Sequence, residues 1–358
     1  MSAQHDVVII GGGAVGLWAA YYLKTRSSDC RVAVVERDFA WTLASTPRAS
    51  GGVRRLFACP ENIELSNASI PVYQGFADLM DVDGEKPDIG FKKNGYLFIV
   101  PPAGVANLLR NFERQRRHGV NVDWLEPADL KQRFPSMRVD DLGAAVESPD
   151  DGWLDPYSVL AALRRKTRAL GVALIQDEVV ALDHAGSLID AVVLKSGARL
   201  RADSVINAAG AWAPQICAMV SMAVPITPLR RYEHYFECQD PVEPLPYLKD
   251  PERLAFRPEG RGAIRAACPR SRSRAATTSR PTTTTSRRSS GRRSRTASRS
   301  SSGRSARPRC RGSTTRTTST ATSSSGRGRT GSGTSTCWPA SQATASCTRR
   351  AAAGPWPS

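Results

Sequence analysis

The sequence predicts an α/β fold organised around its first strand, turn and helix. Residues 7–10 (VVII) form a short apolar run of β-branched side chains, which is typical of a buried strand. Glycines follow directly at G-x-G-x-x-G spacing, and residues 14–24 favour a helix. A second apolar run at residues 31–35 ends in Glu36, 20 positions after Gly16. This order of elements predicts a Rossmann-like unit that binds a dinucleotide.

Each residue of the motif has a physical role in such a unit. Gly11 allows the tight turn, Gly13 lets the backbone approach a pyrophosphate, and Gly16 lets helix and strand pack closely. The helix N-terminus offers free N–H groups to the phosphates. Glu36 can accept hydrogen bonds from both ribose hydroxyls. A glycine-rich turn in another kind of α/β unit is the structural alternative.

The chain consists of two parts with different compositions. Its net charge of +17 would suggest a nucleic-acid or anionic-surface partner. However, residues after Ile264 contain 20 Arg and no Asp, Glu or Lys, whereas residues 1–264 carry 30 Lys and Arg against 33 Asp and Glu, a net charge of −3. The first part therefore has the charge of an ordinary soluble enzyme domain, for which no specific nucleic-acid partner is expected.

Cysteine usage and hydropathy favour a cytoplasmic protein. Cys30, Cys59, Cys217 and Cys238 are scattered without C-x-x-C spacing, which fits free thiols in a reducing compartment. The uncharged stretch 7–23 follows no basic segment and contains consecutive glycines. It therefore predicts neither a signal peptide nor a membrane span.

Two further segments are rich in small residues. Residues 39–56 (FAWTLASTPRASGGVRRL) predict a loop that can lie against a flat ligand, a solvated loop being the alternative. Residues 206–212 (INAAGAW) predict a strand end and a small-residue turn. Helices are predicted at 60–80, 103–118, 126–134 and 157–170, and strands at 95–100, 172–175, 178–182, 189–194, 205–206, 226–237 and 254–257, with those of 172–194 forming a meander.

In combination, these motifs resemble the D-amino-acid oxidase and sarcosine oxidase superfamily of FAD-dependent oxidoreductases, nearest the branch of FAD-dependent oxidoreductase domain-containing protein 1. The resemblance covers residues 5 to 262. It is carried by VVIIGGGAVGL, VVERD, ASTPRASGGVRRLF, PENIELS, DGWLDP and INAAGAW, which begin at residues 7, 34, 44, 60, 151 and 206. An NAD(P)-dependent dehydrogenase would share the first motif but would leave INAAGAW unexplained.

The resemblance implies an FAD-binding domain at 5–90 and 150–220, interleaved with an antiparallel substrate domain at 91–149 and 221–262. In the family, the Ser-Gly-Gly loop would contact the pyrophosphate and ribityl side, and Ala208–Gly210 would close over the dinucleotide. The implied FAD ligands are Gly11, Gly13, Ala14, Val15, Gly16, Glu36, Arg37, Ser50, Gly51, Gly52, Val179 (through its backbone, near the adenine), Ala208, Ala209, Gly210 and Trp212.

The resemblance also implies a reaction, the oxidation of an amino acid or a secondary or N-methyl amine. A hydride would leave the carbon beside nitrogen for the flavin, and oxygen or a quinone would then take the electrons. Arg54 or Arg55, directly after the loop, would hold the substrate carboxylate, a surface cation being the alternative for each. No metal is expected, because the histidines are spread along the chain at His5, His118, His184 and His234.

Residues 263–358 are expected to be disordered, because Arg, Ser, Thr, Ala and Gly cannot bury enough apolar surface to offset the ordering entropy. A shift of one nucleotide in the codons would let residues 340–345 (ASQATA) read Gly-Phe-Thr-Gly-His-Gly, which resembles the last flavin motif of the family. We therefore hypothesise a frameshift between residues 260 and 267. Sequencing this part of the gene tests it: a natural frame that encodes the tail, with no shifted reading that restores the motif, would exclude a frameshift.

The alternative interpretation is an FAD-fold protein whose basic tail binds nucleic acid or another polyanion. Its 20 Arg would give strong, salt-dependent phosphate contacts. Trp338 and Trp356 are its only aromatic residues, so few side chains are available to stack on nucleic-acid bases.

Overall fold

The computed structural model describes residues 4–238, 242–250, 255–260, 262–267, 310–323 and 345–348. The helices are α1 (Ala14–Arg26), α2 (Pro60–Gln74), α3 (Phe76–Leu79), α4 (Val105–Arg117), α5 (Pro127–Arg133), α6 (Pro156–Ala169) and α7 (Ala213–Ala218). Short 3-10 helices span Thr46–Arg48, Pro102–Gly104 and Gly210–Trp212. The strands are β1 (Gln4–Ile10), β2 (Val32–Glu36), β3 (Gly52–Val53), β4 (Tyr96–Val100), β5 (Asp123–Leu125), β6 (Ala144–Ser148), β7 (Gly152–Trp153), β8 (Ala173–Gln176), β9 (Val179–Ala185), β10 (Leu188–Leu194), β11 (Arg199–Asn207), β12 (Ile226–Cys238), β13 (Tyr247–Lys249), β14 (Ala255–Pro258), β15 (Ala263–Ala267), β16 (Cys310–Ser323) and β17 (Ala345–Thr348).

The first sheet has the order β8-β2-β1-β11-β10-β9, and β17 also pairs with β11. Strands β8, β2, β1 and β11 run parallel, whereas β10 and β9 continue antiparallel. Helices α1 and α6 cover one face, where Leu17, Leu160 and Leu163 are fully buried in one apolar cluster. Parallel strands need crossover helices, and these helices bury a face of the sheet. The first sheet with α1 and α6 has this arrangement and is the predicted Rossmann-like unit.

The second sheet has the order β16-β12-β15-β14-β13-β4-β6-β5. Its pairs are antiparallel except β13 with β4. The predicted fold class, a Rossmann-like domain interleaved with an antiparallel sheet, is therefore confirmed. The predicted domain boundaries stay a prediction, although β4–β6 and β12–β14 all lie in the second sheet. Strand β15 extends that sheet beyond residue 262.

Several predicted elements differ from the structure. The helix predicted at 60–80 is divided at Gly75, which ends α2. Strand β8 is not part of a meander: it follows the crossover helix α6 and therefore enters the sheet parallel to β2. Strand β6 has no predicted counterpart, because all five of its residues are buried and the sequence shows no polar–apolar alternation.

Disorder of residues 263–358 stays a prediction, although the structure describes strands at 263–267, 310–323 and 345–348 within this segment. Strand β16 pairs along the length of β12, and its many Thr residues favour an extended backbone. The other residues of the tail, including 340–344 of the hypothesised flavin motif, lie outside the described residues. Every helix in the described part is too short or too polar to traverse a bilayer.

The prediction of four free thiols is wrong for one residue. Cys30, Cys59 and Cys217 are free, but Cys238 is disulfide-bonded. Strand pairing places the backbone of Cys238 opposite that of Cys310 in β16. The absence of C-x-x-C spacing does not exclude a disulfide between cysteines that are far apart in the sequence.

Candidate functional site: the glycine turn and the Ser-Gly-Gly loop

The glycine turn lies at the carboxyl ends of the parallel strands. The N–H of Gly11 donates to the carbonyl of Val35 at 2.8 Å, and the N–H of Ala208 donates to the carbonyl of Ile10 at 2.8 Å. The φ of Gly11 is +108°, and a Cβ there would lie 2.5 Å from the carbonyl oxygen of Ala208. The two predicted small-residue motifs, 11–16 and 206–212, therefore meet at this edge of the sheet.

Gly13 and Gly16 differ sharply in their surroundings. A Cβ on Gly16 would lie 1.9 Å from the carbonyl oxygen of Gly11, so only glycine permits this approach of helix and turn. A Cβ on Gly13 would meet no atom within 4 Å, so space is open where α1 begins. Helix α1 has no side-chain cap and no acidic residue in its first turn, which contains Ala14 and Val15. Free N–H groups beside open space fit a pyrophosphate.

Glu36 ends β2 beside this turn. Its Oε2 accepts the N–H of Gly12 at 2.8 Å, and its Oε1 accepts the N–H of Asp38 at 3.0 Å. These two bonds fix the carboxylate and leave further lone pairs on both oxygens, because a carboxylate has about four acceptor positions. The geometry therefore fits hydrogen bonds from ribose hydroxyls.

The other candidate ligands of the nucleotide surround the same edge. The Arg37 guanidinium lies 3.9 Å from the centre of the Trp212 ring. The N–H of Asp177 donates to the carbonyl of Glu36 at 3.0 Å, which places the start of β9, with the buried Val179, next to the end of β2. In the turn after β11, the N–H of Ala209 donates to the Asn207 side chain, and Gly210 has a φ of +55°.

The Ser-Gly-Gly loop packs against the second sheet and the start of α6. Gly51 has a φ of +72°, and a Cβ there would lie 2.0 Å from the carbonyl oxygen of Leu154. A Cβ on Gly52 would lie 3.1 Å from Tyr96 and 3.1 Å from Tyr247. These two tyrosine rings are stacked, with centres 4.4 Å apart. Glycine is therefore required at position 51, whereas a larger residue at position 52 would need the two tyrosine side chains to shift slightly.

Three side chains of the second sheet bind this loop, and sequence analysis did not find them. Arg257 Nε donates to the carbonyl of Ser50 at 3.0 Å, and Arg265 Nη1 donates to the carbonyl of Ala49 at 3.0 Å. The hydroxyl of Tyr247 donates to Ser50 Oγ at 2.8 Å. We call these contacts the loop clamp. No motif or spacing in the sequence indicates contacts between segments this far apart.

The two arginines that follow the loop have different surroundings. Arg55 is paired with the fully buried Asp151 at 2.9 Å and also donates to Asn67. The Arg54 guanidinium lies over the ring of Phe57 at 4.3 Å, and its Nε is buried without a hydrogen-bond partner among the described residues. Arg54 therefore differs from Arg55 in having no carboxylate partner among the described residues.

Burial raises the pKa of several groups near the loop. It raises the pKa of the Tyr96 and Tyr247 hydroxyls, so both stay protonated at neutral pH. It also raises the pKa of the Glu233 carboxyl, against the opposing attraction of Arg265. Among the described residues, no group of three or more His, Cys, Asp or Glu side chains could hold a metal ion.

The raised pKa of Glu233 predicts a pH effect on stability. Above pH 4.5, the ordinary value of a Glu carboxyl, the unfolded state ionises before the folded state. The folded state then binds more protons, so stability falls as pH rises through this window. Wild-type stability relative to Glu233→Gln should therefore decrease between pH 4 and pH 7 in denaturant titrations. Parallel stability curves for the two proteins would contradict this prediction.

Comparison with known proteins identifies the family. Residues 6–298 match the sequence model of the DAO family, described as FAD dependent oxidoreductase. The chain is 32% identical to FAD-dependent oxidoreductase domain-containing protein 1 of Bos taurus, over 72% of this chain and 60% of that protein. It is 27% identical to the mitochondrial sarcosine dehydrogenase of Mus musculus, over 72% of this chain and 28% of that protein. The chain spans about 60% of the length of the first of these relatives.

Solved structures agree with this assignment. L-proline dehydrogenase from P. horikoshii has a TM-score of 0.66 and 25% identity, covering 75% of this chain and 71% of its own. Glycine oxidase from Geobacillus kaustophilus has a TM-score of 0.72 and 21% identity, covering 90% and 84%, and shows the shared fold. With its glycine turn, Glu36 and INAAGAW turn together at one sheet edge, the chain belongs to the DAO family of FAD-dependent oxidoreductases.

Proposed function

We propose that the protein oxidises an amino acid or a secondary or N-methyl amine at the carbon beside nitrogen. The observation that carries this proposal is Arg54, a half-buried cation next to the Ser-Gly-Gly loop without a carboxylate partner among the described residues. A cation in this position suits a substrate carboxylate. Relatives named sarcosine dehydrogenase, dimethylglycine dehydrogenase and glycine oxidase support the substrate class.

Different residues bind the FAD cofactor and orient the substrate. When bound, FAD supplies the acceptor for the hydride. The free N–H groups at the start of α1 bind the pyrophosphate, and Glu36 binds the ribose. Arg54 binds the substrate carboxylate and so orients the amine relative to the loop. Because their pKa values are raised, Tyr96 and Tyr247 act as hydrogen-bond donors rather than as bases.

We further propose that this chain retains FAD weakly and has little or no turnover. The tail after Ile264 lacks Asp, Glu, Lys, His, Tyr and every large aliphatic residue. Such a segment can supply few of the contacts that close a flavin site and a substrate pocket. Stoichiometric flavin in the purified protein, with steady oxidation of N-methyl amino acids, would contradict this proposal.

The test measures ligand binding as well as turnover. The full chain is loaded with FAD and titrated with N-methylglycine and with dimethylamine, which lacks the carboxylate, while the flavin absorbance is followed. Arg54→Gln should weaken N-methylglycine binding by roughly 10- to 100-fold, the effect of one hydrogen bond between charged groups, and leave dimethylamine unaffected. The control is Arg31→Gln, an exposed partner of Asp6. Equal binding of N-methylglycine by wild type and Arg54→Gln would refute this role for Arg54.

The second candidate function rests on the tail, which carries 20 Arg and no acidic residue. Such a segment could bind polyanions through counterion release. Titration of the protein with RNA, DNA and heparin distinguishes the alternatives. A functional arm should prefer one of them, whereas equal affinity would indicate charge alone.

We also propose a reducing compartment, the cytoplasm, because Cys30, Cys59 and Cys217 are free thiols. The disulfide at Cys238 would instead favour an oxidising compartment. Thiol labelling of the protein in intact cells tests this proposal: a labelled Cys238 would support it, and full protection of Cys238 would contradict it.

A further inference from the structure

Trp41 is a buried residue in a strained conformation beside the glycine turn. Its φ is 54°, and its side chain is 3% exposed. A bulky residue with positive φ is a genuine outlier and persists only where the surroundings enforce it. The surroundings here are a tight turn in which Asp38 accepts the N–H groups of Ala40, Trp41 and Thr42 at 2.8–2.9 Å.

The strained conformation brings the indole to the glycine turn. Trp41 Nε1 donates to the carbonyl oxygen of Gly12 at 3.0 Å, and this hydrogen bond is buried. On the other side, the N–H of Gly12 donates to Glu36 Oε2 at 2.8 Å. The two peptide groups that flank Gly12 are therefore fixed independently, one by Glu36 and one by Trp41.

The indole itself is held firmly. Its ring packs edge-on against Phe39 and Tyr157, with centres 6.3 and 6.0 Å apart. The Arg164 guanidinium lies over Phe39 at 4.7 Å. A Cβ on Gly12 would lie 2.9 Å from the Phe39 ring, so this aromatic group contacts the turn directly.

Fixing the orientation of the Gly12 carbonyl also fixes the orientation of the Gly13 N–H group. The carbonyl of Gly12 and the N–H of Gly13 belong to one planar trans peptide, in which the two groups point in opposite directions. A carbonyl held toward the indole therefore directs the Gly13 N–H away from Trp41. Gly13 is also the residue beside which space is open.

We propose that Trp41 is a positioning residue for the dinucleotide: its indole N–H holds the Gly12–Gly13 peptide so that the Gly13 N–H is oriented, before binding, toward a phosphate oxygen. The inference rests on the FAD site described above. It adds a residue that lies outside the G-x-G-x-x-G fingerprint and its acidic partner. Orientation before binding raises affinity because less ordering remains when the ligand arrives.

The test compares the dinucleotide affinity of Trp41→Phe with that of the wild-type full chain. Phenylalanine keeps an aromatic ring but removes the N–H donor. Calorimetric titration with ADP and with FAD should show Kd values about 3- to 10-fold higher for the variant, the effect of losing one buried hydrogen bond. The control is Trp124→Phe, which removes an indole N–H bonded to Glu126 in the second sheet. Its Kd values should equal those of wild type.

The outcomes separate this inference from the FAD site itself. A purely structural role would lower the melting temperature of Trp41→Phe but leave the ADP Kd of the folded protein unchanged, which would overturn the proposal. If Trp41→Phe does not fold, Asp38→Ala, which releases the turn, must weaken ADP binding, and unchanged affinity would again overturn it. If the wild type binds neither ADP nor FAD, the proposal of a dinucleotide site is wrong, and the inference about Trp41 is wrong as well.

Discussion

Replacing Gly16 with alanine should destabilise the protein by about 3 kcal/mol or more and abolish FAD binding. The added Cβ would lie 1.9 Å from the carbonyl oxygen of Gly11 and 3.3 Å from Ile9. A backbone oxygen cannot move aside as a flexible side chain can, so α1 must shift away from β1. This shift would displace the helix N-terminus from the position of the phosphates. Denaturant titration and FAD fluorescence measure the two effects.

Gly13→Ala is the matched control for this prediction. Its Cβ would meet no protein atom within 4 Å, so its free energy of unfolding should lie within about 1 kcal/mol of the wild-type value, the usual propensity difference. FAD affinity should nevertheless fall, because the methyl group would enter the space beside the helix N-terminus. Equal stability of Gly16→Ala and wild type would contradict the observed packing of helix and turn.

Replacing Asp151 with alanine should lower the free energy of unfolding by about 3–5 kcal/mol. Asp151 is fully buried and accepts both the N–H and the guanidinium of Arg55, at 2.7 and 2.9 Å. Its removal leaves the Arg55 guanidinium, which is 14% exposed, without a counter-charge. The same change frees the backbone directly after the Ser-Gly-Gly loop, so FAD affinity should decrease as well. Thermal and denaturant unfolding measure the loss.

The control for Asp151 is an exposed ion pair with similar geometry. Asp6 bonds Arg31 at 2.6 Å, with both side chains at least one-third exposed. Asp6→Ala should therefore cost at most about 1 kcal/mol. A loss for Asp151→Ala as small as that for Asp6→Ala would show that water compensates the Arg55 charge, and would remove the structural role assigned to this pair.

The sequence predicts the first sheet better than the second. The strand–turn–helix–strand unit agrees with β1, α1 and β2 within about three residues, because its glycines and apolar runs act locally. In the second sheet, β5 and β6 have no predicted counterparts. Strand β5 has only three residues, and β6 is buried throughout. Length and periodicity, the two local signals of a strand, are therefore weak there.

In the candidate site as well, residues close together in the sequence were predicted, whereas contacts between distant residues were not. Gly11, Gly13, Gly16 and Glu36 form a short-range pattern, and the structure brings them together. The sequence leaves Arg54 and Arg55 equivalent, because the carboxylate that pairs with Arg55, that of Asp151, lies 96 positions away. Trp41 lies in the predicted loop 39–56, but its role could not be predicted, since that role depends on a positive φ that the residue type does not indicate.

The loop clamp also constrains the order in which the protein can acquire its native structure. The hydrogen bonds from Arg257 to Ser50 and from Arg265 to Ala49 join residues 207 and 216 positions apart. Contacts of such separation form late, because a long segment must be ordered before they are made. During synthesis, the glycine turn can close once β11 is present, whereas the Ser-Gly-Gly loop stays unsecured until the ribosome has released the chain through Arg265. The glycine turn should therefore reach its native structure before the Ser-Gly-Gly loop does.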